Sequence, residues 1–209
     1  MSEITDSLNK MNVKFSGARN ELFNYFYRIA RTLVKVLESK DEYTKRHSDR
    51  VAVYAEKLAI EMGLPENRTE LLKEAALLHD IGKMRVGPMI LRKGSSLTYE
   101  EGDIIHEHPA IGENILKPVS IDKDILAVIR GHHERYDGKG YPDKLKGDDI
   151  NIMAAIVSVA DAYDAMTSHR PYRKNMTKEK AMEQLKQNSG TQFNPKVVDA
   201  FIKVLEAGE

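Results

Sequence analysis

The sequence predicts an all-α fold, a single helical bundle with two long functional loops on one face. Three observations carry that expectation. Apolar residues recur at spacings of three and four through most of the chain, as amphipathic helices require. No segment has the apolar–polar alternation of a half-buried strand. The two longest irregular stretches, GKMRVGPMILRKGSS (82–96) and RYDGKGYPDKLKGDD (135–149), lie between helical patterns. Loops of that length in a compact domain are more often functional than idle.

Residues 1–18 are polar and weakly patterned, and read as a leader or linker stub ahead of one domain at 19–209. Leu22, Phe26, Ile29, Leu33 and Val36–Leu37 then mark a first helix. Its apolar face could serve the core or a dimer seam. The core is the expectation, and monomer and homodimer are both compatible with it. HSDRVAVYAEKLAIEMGL forms the next helix and stops at Gly63, before Pro65. ENRTELLKEAALLHDIGK opens on polar capping candidates and becomes strongly apolar. In LTYEE, Thr98 with Glu101 three residues later is a capping box. SIDKDILAVIRGHHE is helical and is expected to end near Gly138. INIMAAIVSVADAYDAMTS is apolar nearly all round and belongs in the middle of the structure. TKEKAMEQLKQNSG and NPKVVDAFIKVL close the chain as amphipathic helices.

Composition narrows the chemistry. Basic and acidic residues number 32 each, so no global positive field points to polymeric nucleic acid. There is no cysteine, which excludes disulfides and thiolate metal sites; a metal must be held by His, Asp or Glu. No signal peptide and no bilayer-length apolar run is present, and the expected location is cytoplasmic.

Seven histidines occur, at 47, 79, 106, 108, 132, 133 and 169. Each alone reads as a surface or capped residue. The set reads differently. His79 follows AALL and precedes Asp80, and Asp161 interrupts an otherwise apolar helix, with Asp164 on the same face. Buried imidazoles and carboxylates are costly unless paired or bound to a cation. One salt bridge would explain one acid, but not His79, Asp80, Asp161, His132 and His133 together. A metal cluster explains them better: imidazole and carboxylate suit Fe, Mn, Zn, Ni or Co. An aspartate can bridge two cations. Two metals roughly 3.5–4 Å apart can bind both ends of an in-line phosphoryl displacement, with the water between them as nucleophile.

The segments YTKRHSDRV, LLHDIGK, LTYEE…HEHPAIGENIL, GHHERYDGKGYPDKLKGDDI, VADAYDAMTSHRPYR and GTQFNP resemble the HD-GYP domains, a branch of the HD-domain phosphohydrolases. They run in the family's order over roughly residues 21–207. The resemblance implies an HD-type helical bundle and two divalent metals, with Fe or Mn favoured over Zn, Ni or Co. It implies His47, His79 and Asp161 around one metal, His108, His132 and His133 around the other, and Asp80 bridging. Lys83 would meet the scissile phosphate, and Arg170 and Arg173 would clamp phosphate. Gly140, Tyr141 and Pro142 name the family; their loop borders the substrate and is a candidate contact for a partner protein. The implied reaction is hydrolysis of cyclic di-GMP to pGpG and onward to GMP. Cyclic GMP-AMP phosphodiesterase and a silent dinucleotide-binding module are the alternatives. Two departures stand out. The Gly-hydrophobic-Pro-Asp run that usually follows HDIGK is replaced by MRVGPMILRKG, and Tyr43 stands where a third-metal glutamate occurs in some members. Two metals are therefore expected, with Asp164 structural and His106 and His169 exposed. Arg92, Lys93 and Lys174 are expected at the solvated surface.

Overall fold

A computed structural model describes residues 25–38, 46–91, 93–119, 122–168 and 175–208. The helices are α1 (25–38), α2 (His47–Glu61), α3 (Glu66–Leu78), α4 (Pro88–Leu91), α5 (Tyr99–His106), α6 (His108–Leu116), α7 (Lys123–Gly131), α8 (Ile152–Thr167), α9 (Lys178–Gln187) and α10 (Pro195–Ala207). No strand occurs among the described residues, so the all-α expectation holds. None of these helices is long and apolar enough to cross a membrane.

α8 is central, as its composition requires. It touches α2, α3, α7, α9 and α10 and buries Met153, Ile156, Val157, Val159 and Ala160. Tyr54, Tyr163 and Phe201 meet edge-to-face at 5.1–5.8 Å and join α2, α8 and α10. Such aromatic pairs add roughly 0.5–1.5 kcal/mol each beyond their burial. Local signals placed several ends well. Thr98 and Glu101 form both halves of the capping box. Asn151, Thr177 and Asn194 cap α8, α9 and α10 by accepting from Met153, Lys180 and Lys196 N–H groups.

Four expectations are corrected. On α1, Phe26, Ile29 and Leu33 are 37%, 56% and 39% exposed; Tyr27, Ala30 and Val34 are buried instead. Both stripes repeat at three and four residues, so periodicity does not choose between them. The Tyr27 hydroxyl does, donating to the Glu74 carbonyl at 3.1 Å. Leu22 lies outside the described residues. On α3, Pro65 stands at the N-cap and no polar side chain caps the helix. α7 ends at Gly131, not near Gly138, because the Glu134 N–H turns back onto the Gly131 carbonyl at 2.9 Å. The stretch 82–96 is not irregular throughout: a 3₁₀ turn, Ile81–Arg85, leads into α4.

Two close approaches set the geometry of the site. A Cβ on Gly82 would sit 1.9 Å from the His108 carbonyl oxygen and 2.6 Å from the Gly112 nitrogen, so the 3₁₀ turn rests directly on α6. A Cβ on Gly140 would sit 2.4–2.6 Å from backbone atoms of His133, Glu134 and Arg135. Buried Glu134 draws the rest of that loop inward, accepting from the Asp143 and Leu145 N–H groups at 2.7 and 3.0 Å. Arg130 grips Asp143 through two bonds, at 2.6 and 2.7 Å, and Glu113 at 2.8 Å. The loop is irregular in backbone but fully anchored.

Candidate metal centre

One local device positions three imidazoles. His79, His108 and His132 each follow the last turn of a helix, where carbonyls lack an intrahelical partner. Each uses Nδ1 to reach the carbonyl three residues back: Ala76 at 2.7 Å, Ile105 at 2.7 Å and Ile129 at 2.8 Å. A carbonyl only accepts, so Nδ1 carries the proton, and in the neutral imidazole Nε2 is then a bare lone pair. All three residues are 0% exposed.

Those lone pairs converge. His108 Nε2 and His132 Nε2 are 3.1 Å apart. His108 Nε2 is 3.3 Å from Asp80 Oδ1, and His79 Nε2 is 3.5 Å from Asp80 Oδ2. His79 Nε2 and Asp80 Oδ1 are buried without any hydrogen-bond partner. Orphaned acceptors facing one another are repulsive in a low-dielectric interior, and a cation among them removes the repulsion. The structure brings together Asp80, His108, His132 and His133 as one cation-sized group and His47, His79 and Asp80 as another. Asp80 belongs to both. Asp161 attaches to the second group through His47, at 3.2 Å from its Nε2.

His47 is set differently. It opens α2, and its Nδ1 is 2.7 Å from Asp164 Oδ2. Arg50, one turn on, grips Asp164 from Nε at 2.5 Å and Nη2 at 2.9 Å. Asp164 thus orients the ring so that Nε2 faces Asp161 and Asp80, the structural role expected of it. An outer carboxylate of this kind tunes metal affinity by 10–100-fold. Asp164→Asn is expected to weaken metal retention by about that factor while circular dichroism stays unchanged. A competitive chelator titration measures it; unchanged affinity would remove Asp164 from the site.

Electrostatics follow from this packing. Burial disfavours the charged form of His47, but the hydrogen bonds to Asp161 and Asp164 outweigh it and raise its pKa to about 10. Burial pushes His79 and His132 down, and His133 to about 3. Burial also opposes ionisation of Asp80 and Asp161. For Asp80 the charge of Lys83 is the leading influence that holds it well below the ordinary carboxylate range; for Asp161 it is His47. A stability optimum follows for the metal-free protein. Below the ordinary histidine value of 6.5 the unfolded chain takes up protons that His79, His132 and His133 refuse, so stability falls with falling pH toward about 3. Above 6.5 the unfolded chain releases a proton that His47 retains, so that contribution is lost as pH rises toward about 10. Urea midpoints of chelator-treated protein should peak near neutrality and fall on both sides; a flat profile would contradict these assignments.

The remaining expected residues divide. Lys83 Nζ lies 2.6 Å from Asp80 Oδ2. Tyr141 stacks on His133, with ring centroids 5.0 Å apart, and Gly140 and Pro142 flank it. Lys93 is not simply solvated: it pairs with Glu101 at 2.5 Å. Tyr43, Arg92, His169, Arg170, Arg173 and Lys174 lie outside the described residues. Sequence reading missed Arg50, Glu134 and Arg130. Arg50 lies one helical turn after His47 but bonds Asp164 over 114 residues, whereas Glu134 and Arg130 hold the nearby loop through Asp143 and Leu145.

Residues 31–197 match the HD domain family. The cyclic di-GMP phosphodiesterase of Thermotoga maritima is 38% identical over 188 residues, covering 88% of this chain and 50% of that protein. The 3'3'-cGAMP-specific phosphodiesterase 3 of Vibrio cholerae is 38% identical over 171 residues, covering 82% of this chain and 37% of that protein. The HDG"Y"P protein Bd1817 from Bdellovibrio bacteriovorus shares the fold, with a TM-score of 0.66 at 22% identity over 88% of this chain and 63% of that one. The chain spans half or less of the length of these two curated relatives. With an all-α bundle and helix-end histidines around a shared aspartate, the chain belongs to the HD-domain family. Within it, the GYP-bearing loop and these relatives make it a member of the HD-GYP branch.

Proposed function

We propose that this chain is a metal-dependent phosphodiesterase that opens a 3′,5′-phosphodiester of cyclic di-GMP to give pGpG, with GMP as the product of a second cut. The observation that carries the reading is Asp80, which belongs to two histidine groups at once, with Oδ1 facing His108 Nε2 and Oδ2 facing His79 Nε2. On this reading residues 19–209 are the catalytic domain, 1–18 lead into it, and the domain works in the cytoplasm.

His47, His79 and Asp161 would hold one divalent cation and His108, His132 and His133 the other, with Asp80 between them. Nitrogen and oxygen donors without sulfur support Fe or Mn, with Zn, Ni and Co as substitutes. When bound, such a pair supplies Lewis-acid polarisation of the phosphodiester and a water acidic enough to act near neutral pH. Lys83, beside Asp80, would pair with a phosphate oxygen, and Arg170 and Arg173 would hold the phosphates. The Tyr141 phenol, its pKa raised by burial and then by Asp80 and Asp161, would stay protonated and able to donate. A small dianion needs only these few cations, which accords with zero net charge.

Cyclic GMP-AMP is the second reading, supported by the printed activity of the Vibrio cholerae relative, which matches at the same 38% identity. The test is direct. Protein loaded anaerobically with Mn or Fe(II) is given each dinucleotide and the linear products are followed. Faster turnover of cyclic di-GMP supports the main reading, and faster turnover of cyclic GMP-AMP the second. Tight binding without turnover at full metal occupancy would leave a silent binding module. Elemental analysis of the protein as isolated identifies the metal.

A further inference from the structure

His106 ends α5 and is exposed, two residues before His108, and nothing in its own motif position assigns it a task. Its ring nevertheless stacks on Tyr141, with centroids 4.1 Å apart and planes 28° from parallel. Tyr141 in turn stacks on His133, 5.0 Å away and 30° from parallel. No ring contact joins His106 to His133 among the described residues, so the phenol is the link between them. The backbone beneath Tyr141 is already fixed. Gly140 lies against the His133–Arg135 backbone, and the Tyr141 N–H donates to the His133 carbonyl at 3.3 Å. What that leaves to restrain is the ring itself. Its hydroxyl makes no hydrogen bond among the described residues, although the ring borders the Asp80 group.

We propose that His106 is a positioning residue. It braces the Tyr141 ring against His133 so that the free hydroxyl is held out to a phosphate oxygen of the substrate, an assignment that rests on the phosphodiesterase reading above. A stacked imidazole suits the task because a planar ring limits both tilt and rotation of the phenol. Since the ring is braced from α5 and seated on the loop after α7, the hydroxyl is held between two separate segments of the chain.

The test combines kinetics with a spectroscopic readout. His106→Ala is expected to raise KM for cyclic di-GMP roughly three- to tenfold, the range of an aromatic pair, with kcat and bound metal little changed. His106→Phe, which keeps a flat ring, should restore KM. In a Tyr141→Phe background, which lacks the hydroxyl, His106→Ala should add nothing. A merely structural His106 would instead give additive losses in that background, and that result overturns the proposal. In metal-free protein labelled with 3-fluorotyrosine, the Tyr141 resonance, identified by its loss in Tyr141→Phe, should move in His106→Ala and return toward its place in His106→Phe. An unmoved resonance overturns the brace alone. Absence of hydrolysis by the wild type overturns the phosphodiesterase reading, and the assigned substrate contact with it.

Discussion

Asp80→Ala is expected to remove metal and activity together. The Asp80 side chain is 9% exposed, and its two oxygens face different groups: Oδ1 lies 3.3 Å from His108, while Oδ2 lies 2.6 Å from Lys83, 3.5 Å from His79 and 4.0 Å from His47. Among the described residues Asp80 is the carboxylate that belongs to both groups, while Asp161 pairs with His47. Removing Asp80 also takes away the carboxylate that lies 2.6 Å from Lys83 Nζ. The transition-state stabilisation assigned to the metals is several kcal/mol, so turnover should fall by about 10³-fold or more. Asp80→Asn separates charge from shape: it keeps the volume and one neutral oxygen, and should fail nearly as badly. Elemental analysis and single-turnover assays check both variants. Asp80→Ala still carrying two ions would sink the bridging role.

Gly82→Ala carries the largest expected effect on stability. The added methyl would meet the His108 carbonyl at 1.9 Å and the Gly112 nitrogen at 2.6 Å, and both are backbone atoms that cannot swing aside. The 3₁₀ turn and α6 would have to separate, and His79–Asp80 and His108 would move apart with them. Overpacking a core typically costs about 1–3 kcal/mol and occasionally more. With backbone on both sides, about 3 kcal/mol is expected, a drop of roughly 6–12 °C in Tm for a chain of this size. Metal affinity should fall as well. Gly87→Ala, where nothing lies within 4 Å, is the control and should leave Tm within a degree or two. A normal Tm for Gly82→Ala would mean that the turn does not rest on α6 as described.

Much of the site was legible because its devices are local. The His79, His108 and His132 imidazoles each bond a carbonyl three residues back, and Thr98 and Glu101 cap within one turn. The break between α5 and α6 was not read from the sequence, although Pro109 at the start of α6, with its missing N–H and bulky ring, was a signal for it. What else escaped was long-range. His47 and Asp164 are 117 residues apart, and Arg50 reaches Asp164 over 114. His106 looked idle because its partner, Tyr141, arrives from the loop after α7, with α6 and α7 between them in the chain.

The sequence by itself determined the helical class, the central place of α8, and a set of histidines and aspartates suited to divalent metal, since periodicity, capping and donor chemistry act over a few residues. Only the tertiary structure decided which stripe of α1 is buried, where α7 stops, that Asp80 is shared by both histidine groups, and that a tyrosine stacks on a histidine of one of them. Those outcomes depend on which surfaces meet when distant segments pack. Packing selects among faces that local periodicity leaves equivalent.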